Sequence, residues 1–348
     1  MAFEMKGWLK AAAMVGLAGA AFAPHAAVAQ SPEEFFAGQL VTILIGHPPG
    51  GSFDAYAQLA AQHYGKYIPG NPTVVVQSMP GGGGNVAAAY FANRAPRDGT
   101  MIALLPESLA TLQLLDPEVS RWDMNEMRYI GSFADVTSVM AARAEAPAKT
   151  LDEMKATVSN VSCSGRTTTS AQAGAIFAHF TGAQYNMVCG YDSATASVLA
   201  VFRGEADMTT TVWTSWNSNY KAELDSGAVV PILQFGLERL PDLPDVPTAI
   251  ELVEDQAQKD ALAFFAAGGD LGRALLAPPG IPDDRFEALA TAFDELVKDE
   301  QLLADAQTRG LPIAPKNAAQ MADVLSKILG ASPDVVALLN EAREAGFE

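Results

Sequence analysis

The chain has 348 residues, 49% of them hydrophobic, with 40 acidic against 22 basic side chains and a formal charge of −18. Such a surface repels nucleic acid and anionic lipid, and no Lys/Arg cluster offsets it, which excludes both as partners. At the start of the chain, Lys6 and Lys10 introduce a small-residue apolar run over 11–23, which Pro24 and His25 break. Ala27-Val28-Ala29 then offers small residues to a signal peptidase. This pattern reads as a cleaved secretory signal over residues 1–29, since the run is shorter than the roughly 20 apolar residues of a membrane span. No later stretch approaches that length. Cleavage leaves about 319 residues, enough for two lobes of ordinary domain size, carrying a charge of about −19.

Past the signal, short β-branched runs alternate with longer helical patterns, the mark of an α/β fold with a mostly parallel sheet. Strands are expected over 40–45, 73–77 and 101–105, with helices over 54–67 and 85–93 and a turn at Arg97-Asp98-Gly99. Residues 130–142 read as one long extended stretch, a crossover into a second lobe. There, strands over 158–163, 186–189, 206–211 and 229–235 enclose helices near 170–181 and 193–203. The remainder reads as largely helical, with Phe286, Leu289, Phe293, Leu296 and Val297 at helical spacing and Gly310 as a stop.

The residues that carry chemistry sit at strand-to-helix junctions. His47-Pro48-Pro49-Gly50-Gly51-Ser52-Phe53-Asp54 is one, and Met79-Pro80-Gly81-Gly82-Gly83-Gly84-Asn85 is another. Glycine lets the backbone turn sharply and approach a ligand, and the helix behind each loop adds unpaired N–H groups and a partial positive charge. Two such ends make an anion site without Lys or Arg. A dinucleotide reading of Gly82-x-Gly84-x-x-Ala87, with Glu107 about 20 residues on, is weak because the motif follows the second strand of an exported chain. Hydrolysis has less support, for no Gly-x-Ser-x-Gly elbow is present. Asp283-Asp284 reads as a helix start and His63 as a half-buried structural residue.

The second half offers Cys163-Ser164-Gly165-Arg166-Thr167-Thr168-Thr169-Ser170, whose hydroxyls can cap a helix or meet a ligand. Arg166 is the one cation in the loops assigned to the cleft, and its guanidinium can grip a carboxylate or simply face solvent. Gly190-Tyr191-Asp192-Ser193 could bring a ring over the ligand. Cys163 and Cys189, an even pair in an oxidising compartment, invite a disulfide, although two buried thiols are the alternative. Histidines and cysteines do not stand at metal-ligand spacing, and no cofactor or metal is expected.

Taken in order, these segments resemble the solute-binding receptors of tripartite tricarboxylate transporters, the Bug family. The likeness runs over essentially the whole mature chain. It rests on the two glycine loops, on Ala95-Pro96-Arg97-Asp98-Gly99-Thr100, on Leu243-Pro244-Asp245-Val246-Pro247-Thr248 with Glu251, and on Ala277-Pro278-Pro279-Gly280-Ile281-Pro282. The resemblance implies a type II periplasmic-binding-protein fold, two α/β lobes joined by crossover strands with a ligand cleft between them. Residues 30–135 and 241–348 would form the first lobe and 136–240 the second. It implies a periplasmic, monomeric, non-catalytic receptor that captures a small carboxylate for membrane permease subunits; a sensor acting on a signalling partner is the alternative. Carried onto matching positions, the ligand residues would be Pro49, Gly50, Gly51 and Ser52, then Gly81, Gly82, Gly83, Gly84 and Asn85. From the second lobe they would be Ser164, Gly165, Thr167, Thr168, Thr169 and Tyr191, with Arg166 added. Asp54 is expected to cap its helix. Two departures stand out: Glu107 would repel a second ligand carboxylate, and Arg166 would attract one.

Overall fold

A computed structural model describes residues 30–347; the signal read over residues 1–29 lies outside the described residues. Eleven strands are described: β1 (Leu40–Ile45), β2 (Thr73–Ser78), β3 (Met101–Leu104), β4 (Arg128–Ser132), β5 (Ser138–Arg143), β6 (Ser159–Cys163), β7 (Tyr185–Cys189), β8 (Met208–Val212), β9 (Val229–Phe235), β10 (Ala274–Ala277) and β11 (Lys316–Asn317). They form two sheets, ordered β11-β4-β10-β3-β1-β2 and β7-β6-β8-β5-β9.

The side-chain period of two decides how the first sheet packs. Val41, Ile43 and Ile45 of β1 face one cluster with helices Ser52–His63, Asp283–Leu296 and Glu300–Thr308. Leu44 faces the opposite cluster, with Asn85–Asn93, Leu109–Leu115 and Ala318–Leu329. Both faces are buried, so β1 reads as a continuous apolar run. The second sheet is likewise covered twice. Met140 and Ala142 of β5 meet helices Thr169–Thr181, Gln256–Ala267 and Pro333–Ala345, while Val139 and Ala141 meet Ala194–Phe202 and Trp213–Asn219.

Three expectations are corrected. The sheets are mixed rather than mostly parallel: β1 pairs in parallel with β2 and β3, and β6 with β7 and β8, but the remaining pairings are antiparallel. The stretch 130–142 is also not uninterrupted. It is β4 of one sheet and β5 of the other, joined by a short link in which Val136 N–H donates to Gly269 O at 3.0 Å. In the largely helical tail, β10 lies between β3 and β4 in the interior of the first sheet. The helix expected to run to Gly310 breaks at Leu296. Asp299 then caps Glu300–Thr308, and Gly310 follows that second helix at φ +65°.

The motifs behind the resemblance have structural tasks. Gln234 of β9 holds the Leu243–Thr248 arch, donating to Leu243 O and Val246 O at 3.0 and 2.7 Å and accepting from Leu240 N–H at 2.9 Å. Asp98 accepts from the amide and hydroxyl of Thr100, closing the turn before β3. Cys163 and Cys189, register partners at the ends of parallel β6 and β7, are disulfide-bonded with Cα atoms 4.4 Å apart. His63 is more deeply buried than expected and bonds Asp305 at 2.8 Å.

Candidate ligand-binding site

Between the two sheets lies a cleft of about 580 Å³. Its first wall is built where β1, β2 and β3 end. Helix Ser52–His63 begins behind Gly51, and no side chain caps it. Its first amides therefore lack an intrahelical acceptor and remain for a ligand. Asp54 reaches back to the Gly50 amide at 2.9 Å and takes Gln58 at 3.2 Å, so it stiffens the loop from outside the lining. After β2, Gly81, Gly82, Gly83 and Gly84 take φ values of +145°, +56°, +66° and +99°, a left-handed run that only glycine enters readily. The Gly84 amide closes the turn on Gly81 O at 3.0 Å, and helix Asn85–Asn93 follows.

The second wall comes from the ends of β6, β7 and β8. Thr168 caps helix Thr169–Thr181 by accepting from Ala171 N–H, while its hydroxyl donates to Gly165 O at 2.8 Å. Ser193 caps Ala194–Phe202 in the same way. Cys163 O accepts from Gly190 and Tyr191, tying both second-wall loops to the disulfide. The walls meet: a Cβ placed on Gly83 would stand 3.3 Å from Thr168 Cγ2.

Pro49, Gly50, Gly51, Ser52, Gly81, Gly82, Gly83, Ser164, Gly165, Thr167, Thr168 and Thr169 all line this cleft. Gly84, Asn85, Arg166 and Tyr191 are not among the lining residues. Gly84 is wedged behind the loop, against Gly46 and Pro106. Arg166 is exposed with its guanidinium 5.1 Å from the centre of the Phe347 ring. Tyr191 gives way to its neighbours Asp192 and Ser193.

The cation in the cleft is one the sequence reading missed. Arg273, 1% exposed at the entry to β10, donates through Nε to Ser52 Oγ at 2.7 Å and through Nη1 to Glu107 Oε2 at 2.8 Å. Its guanidinium lies 3.9 Å from the Phe53 ring centre, and Phe53 stacks on His47 at 4.1 Å with ring planes 2° apart. The charge of Arg273 is thus matched by Glu107. Burial, helped by Arg273, pushes the His47 imidazole down to about 4, so it is neutral at pH 7. An unfolded His47 would bind its proton near 6.5, so the folded state loses stability as pH falls from about 6.5 through 4, by up to roughly 3 kcal/mol. Urea denaturation between pH 7 and pH 4 should show a shallower loss for His47→Phe than for wild type; equal slopes would show that the folded imidazole titrates normally.

Two mixed α/β halves, each presenting strand ends and helix N-termini to a shared cleft, define a periplasmic-binding-protein-type fold. The model of the tripartite tricarboxylate transporter family receptor matches residues 60–328, and the chain belongs to that family. A UPF0065 protein of Agrobacterium vitis from the TAR-I ttuE-ttuC' intergenic region is 26% identical over 282 residues, covering 79% of this chain and 76% of its own. Among solved structures, the periplasmic binding protein BugD superposes with a TM-score of 0.68 at 20% identity, over 89% of this chain and 98% of its own. MatC from Rhodopseudomonas palustris with bound malate gives a TM-score of 0.64 at 20% identity, over 86% and 99%.

Proposed function

We propose that the protein is an extracytoplasmic, monomeric receptor that closes on a small organic carboxylate and delivers it to the membrane subunits of a tripartite tricarboxylate-type transporter, without catalysis. The observation that carries this reading is the first wall, where the uncapped N-terminus of helix Ser52–His63 and the Gly81–Gly83 loop line one cleft. Such ends hold an anion by hydrogen bonds and by their partial positive charge. The likeness to a malate-bound family member and the signal pattern of residues 1–29 support the same reading. Native mass spectrometry of the purified mature protein, followed by thermal-shift screening of carboxylic acids, tests it. The expected result is a co-purified acid, or an added acid that stabilises the fold by about 2.7 kcal/mol at a hundredfold excess over its Kd. A broad acid panel without any shift would sink the proposal.

A further inference from the structure

We propose that Glu107 is a specificity-determining residue, selecting carboxylates that carry a hydrogen-bond donor, a hydroxyl or an ammonium group, over unsubstituted aliphatic dicarboxylates. This rests on the reading of the cleft as a carboxylate site and names the ligand class it takes.

The argument is one of charge and unfilled valence. The acidic and basic side chains lining the cleft, His47 aside, are Arg273, Glu107 and Asp192. Arg273 is spent on Glu107, Ser52 and the face of Phe53, and Arg166 stands outside the lining. A ligand carboxylate therefore has the backbone amides of the first wall, while a second carboxylate finds no unpaired cation. It would instead be driven against Glu107, where desolvation makes like-charge repulsion severe. Glu107 is 7% exposed and lines the cleft, and its Oε2 takes the Arg273 bond. Among the described residues, the hydrogen bond to this carboxylate is the one from Arg273 to Oε2, which leaves Oε1 for the cleft. An ionised carboxylate is an acceptor only, so what completes it must donate. Across the cleft, Thr210 is 7% exposed and its buried hydroxyl has no partner, a second polar group left open on this lining. The bond from Arg273 fixes the Glu107 rotamer, so the acceptor is already in place before the ligand arrives.

The test is calorimetry of wild type and Glu107→Gln with matched acids: succinate, malate and aspartate, then glutarate, 2-hydroxyglutarate and glutamate. Within a series that binds, the hydroxy or amino member is expected to bind at least about tenfold more tightly than the unsubstituted acid, the scale of a hydrogen bond to a charged group. The ratio of hydroxy to amino acid then tells which donor the site prefers. Glu107→Gln should collapse the preference to less than about threefold and strengthen the unsubstituted acid, because it uncovers Arg273. Equal affinity within each series, or a preference that survives in Glu107→Gln, overturns the proposal while leaving the carboxylate reading intact. If none of the six acids binds, this proposal is overturned for the ligand class it names, while the carboxylate reading is decided separately by the broad acid panel. Should the variant not fold, the wild-type ratios still decide.

Discussion

Arg273→Ala should be among the most destabilising single changes in the cleft, costing about 3–5 kcal/mol, because it leaves a buried carboxylate without its cation. The side chains of Arg273 and Glu107 are 2% and 8% exposed, so water cannot replace the lost partner. The same substitution strips Ser52 Oγ of its donor and Phe53 of the cation over its face, worth about 0.5–2 kcal/mol more. Removing both charges is the informative control. Arg273→Met combined with Glu107→Met exchanges the pair for apolar side chains of similar size, and such exchanges are often neutral or stabilising. Urea denaturation of wild type, Arg273→Ala and the double Met variant should show the double variant recovering most of the loss. A double variant no better than Arg273→Ala would mean that the arginine holds the wall by packing and not through its charge partner.

The second large effect is expected at Gly84. An alanine there must hold φ +99°, at roughly 1–2 kcal/mol, and its methyl would stand 2.5 Å from Pro106 Cγ and 3.3 Å from His47 Cε1. Overpacking adds about 1–3 kcal/mol, relieved only by moving residues that themselves line the cleft. Gly84→Ala should therefore lower the melting temperature and weaken ligand binding at least about tenfold. Gly204→Ala separates strain from position, since Gly204 has φ +73° but nothing within 4 Å of its added methyl. It should lose stability alone. Equal ligand affinity in Gly84→Ala and Gly204→Ala would show that the wedge behind the loop does not shape the cleft.

How much of this was legible beforehand follows from the reach of each interaction. Strand β1 and the helix Asn85–Asn93 were read with their observed bounds, since apolar runs and glycine punctuation are local signals. The two glycine loops were legible for the same reason: a strand, a break and a helix start lie within ten residues of one another. Arg273 was not. Its partners Ser52 and Glu107 are 221 and 166 positions away, and no local pattern encodes that meeting. Its strand is only four residues long and sits in a helix-rich tail, where Ala274-Leu275-Leu276-Ala277 carries no alternation to betray a sheet position. The mixed sheet was missed with it, because β10 runs antiparallel to β3 and β4 and enters from the far end of the chain. Arg166 illustrates the reverse error. Proximity in sequence to Ser164 and Thr168 suggested a role, yet the strand-end turn sends its side chain toward Phe347.

In a receptor of the proposed kind, the close approach of Gly83 to Thr168 would bear on the tempo of exchange. Where the halves of such a receptor part and close about the cleft, release would be timed by that opening motion as well as by the solute's own bonds. Such motions fall in the microsecond-to-millisecond range. Gly83 has no side chain to set against Thr168 Cγ2, so the two walls can approach closely there. A bulkier group there would prop the halves apart, shortening the residence time while leaving every direct contact to the solute available. Affinity and dwell time are in this way adjustable at a residue on the seam, apart from the groups that choose what is carried.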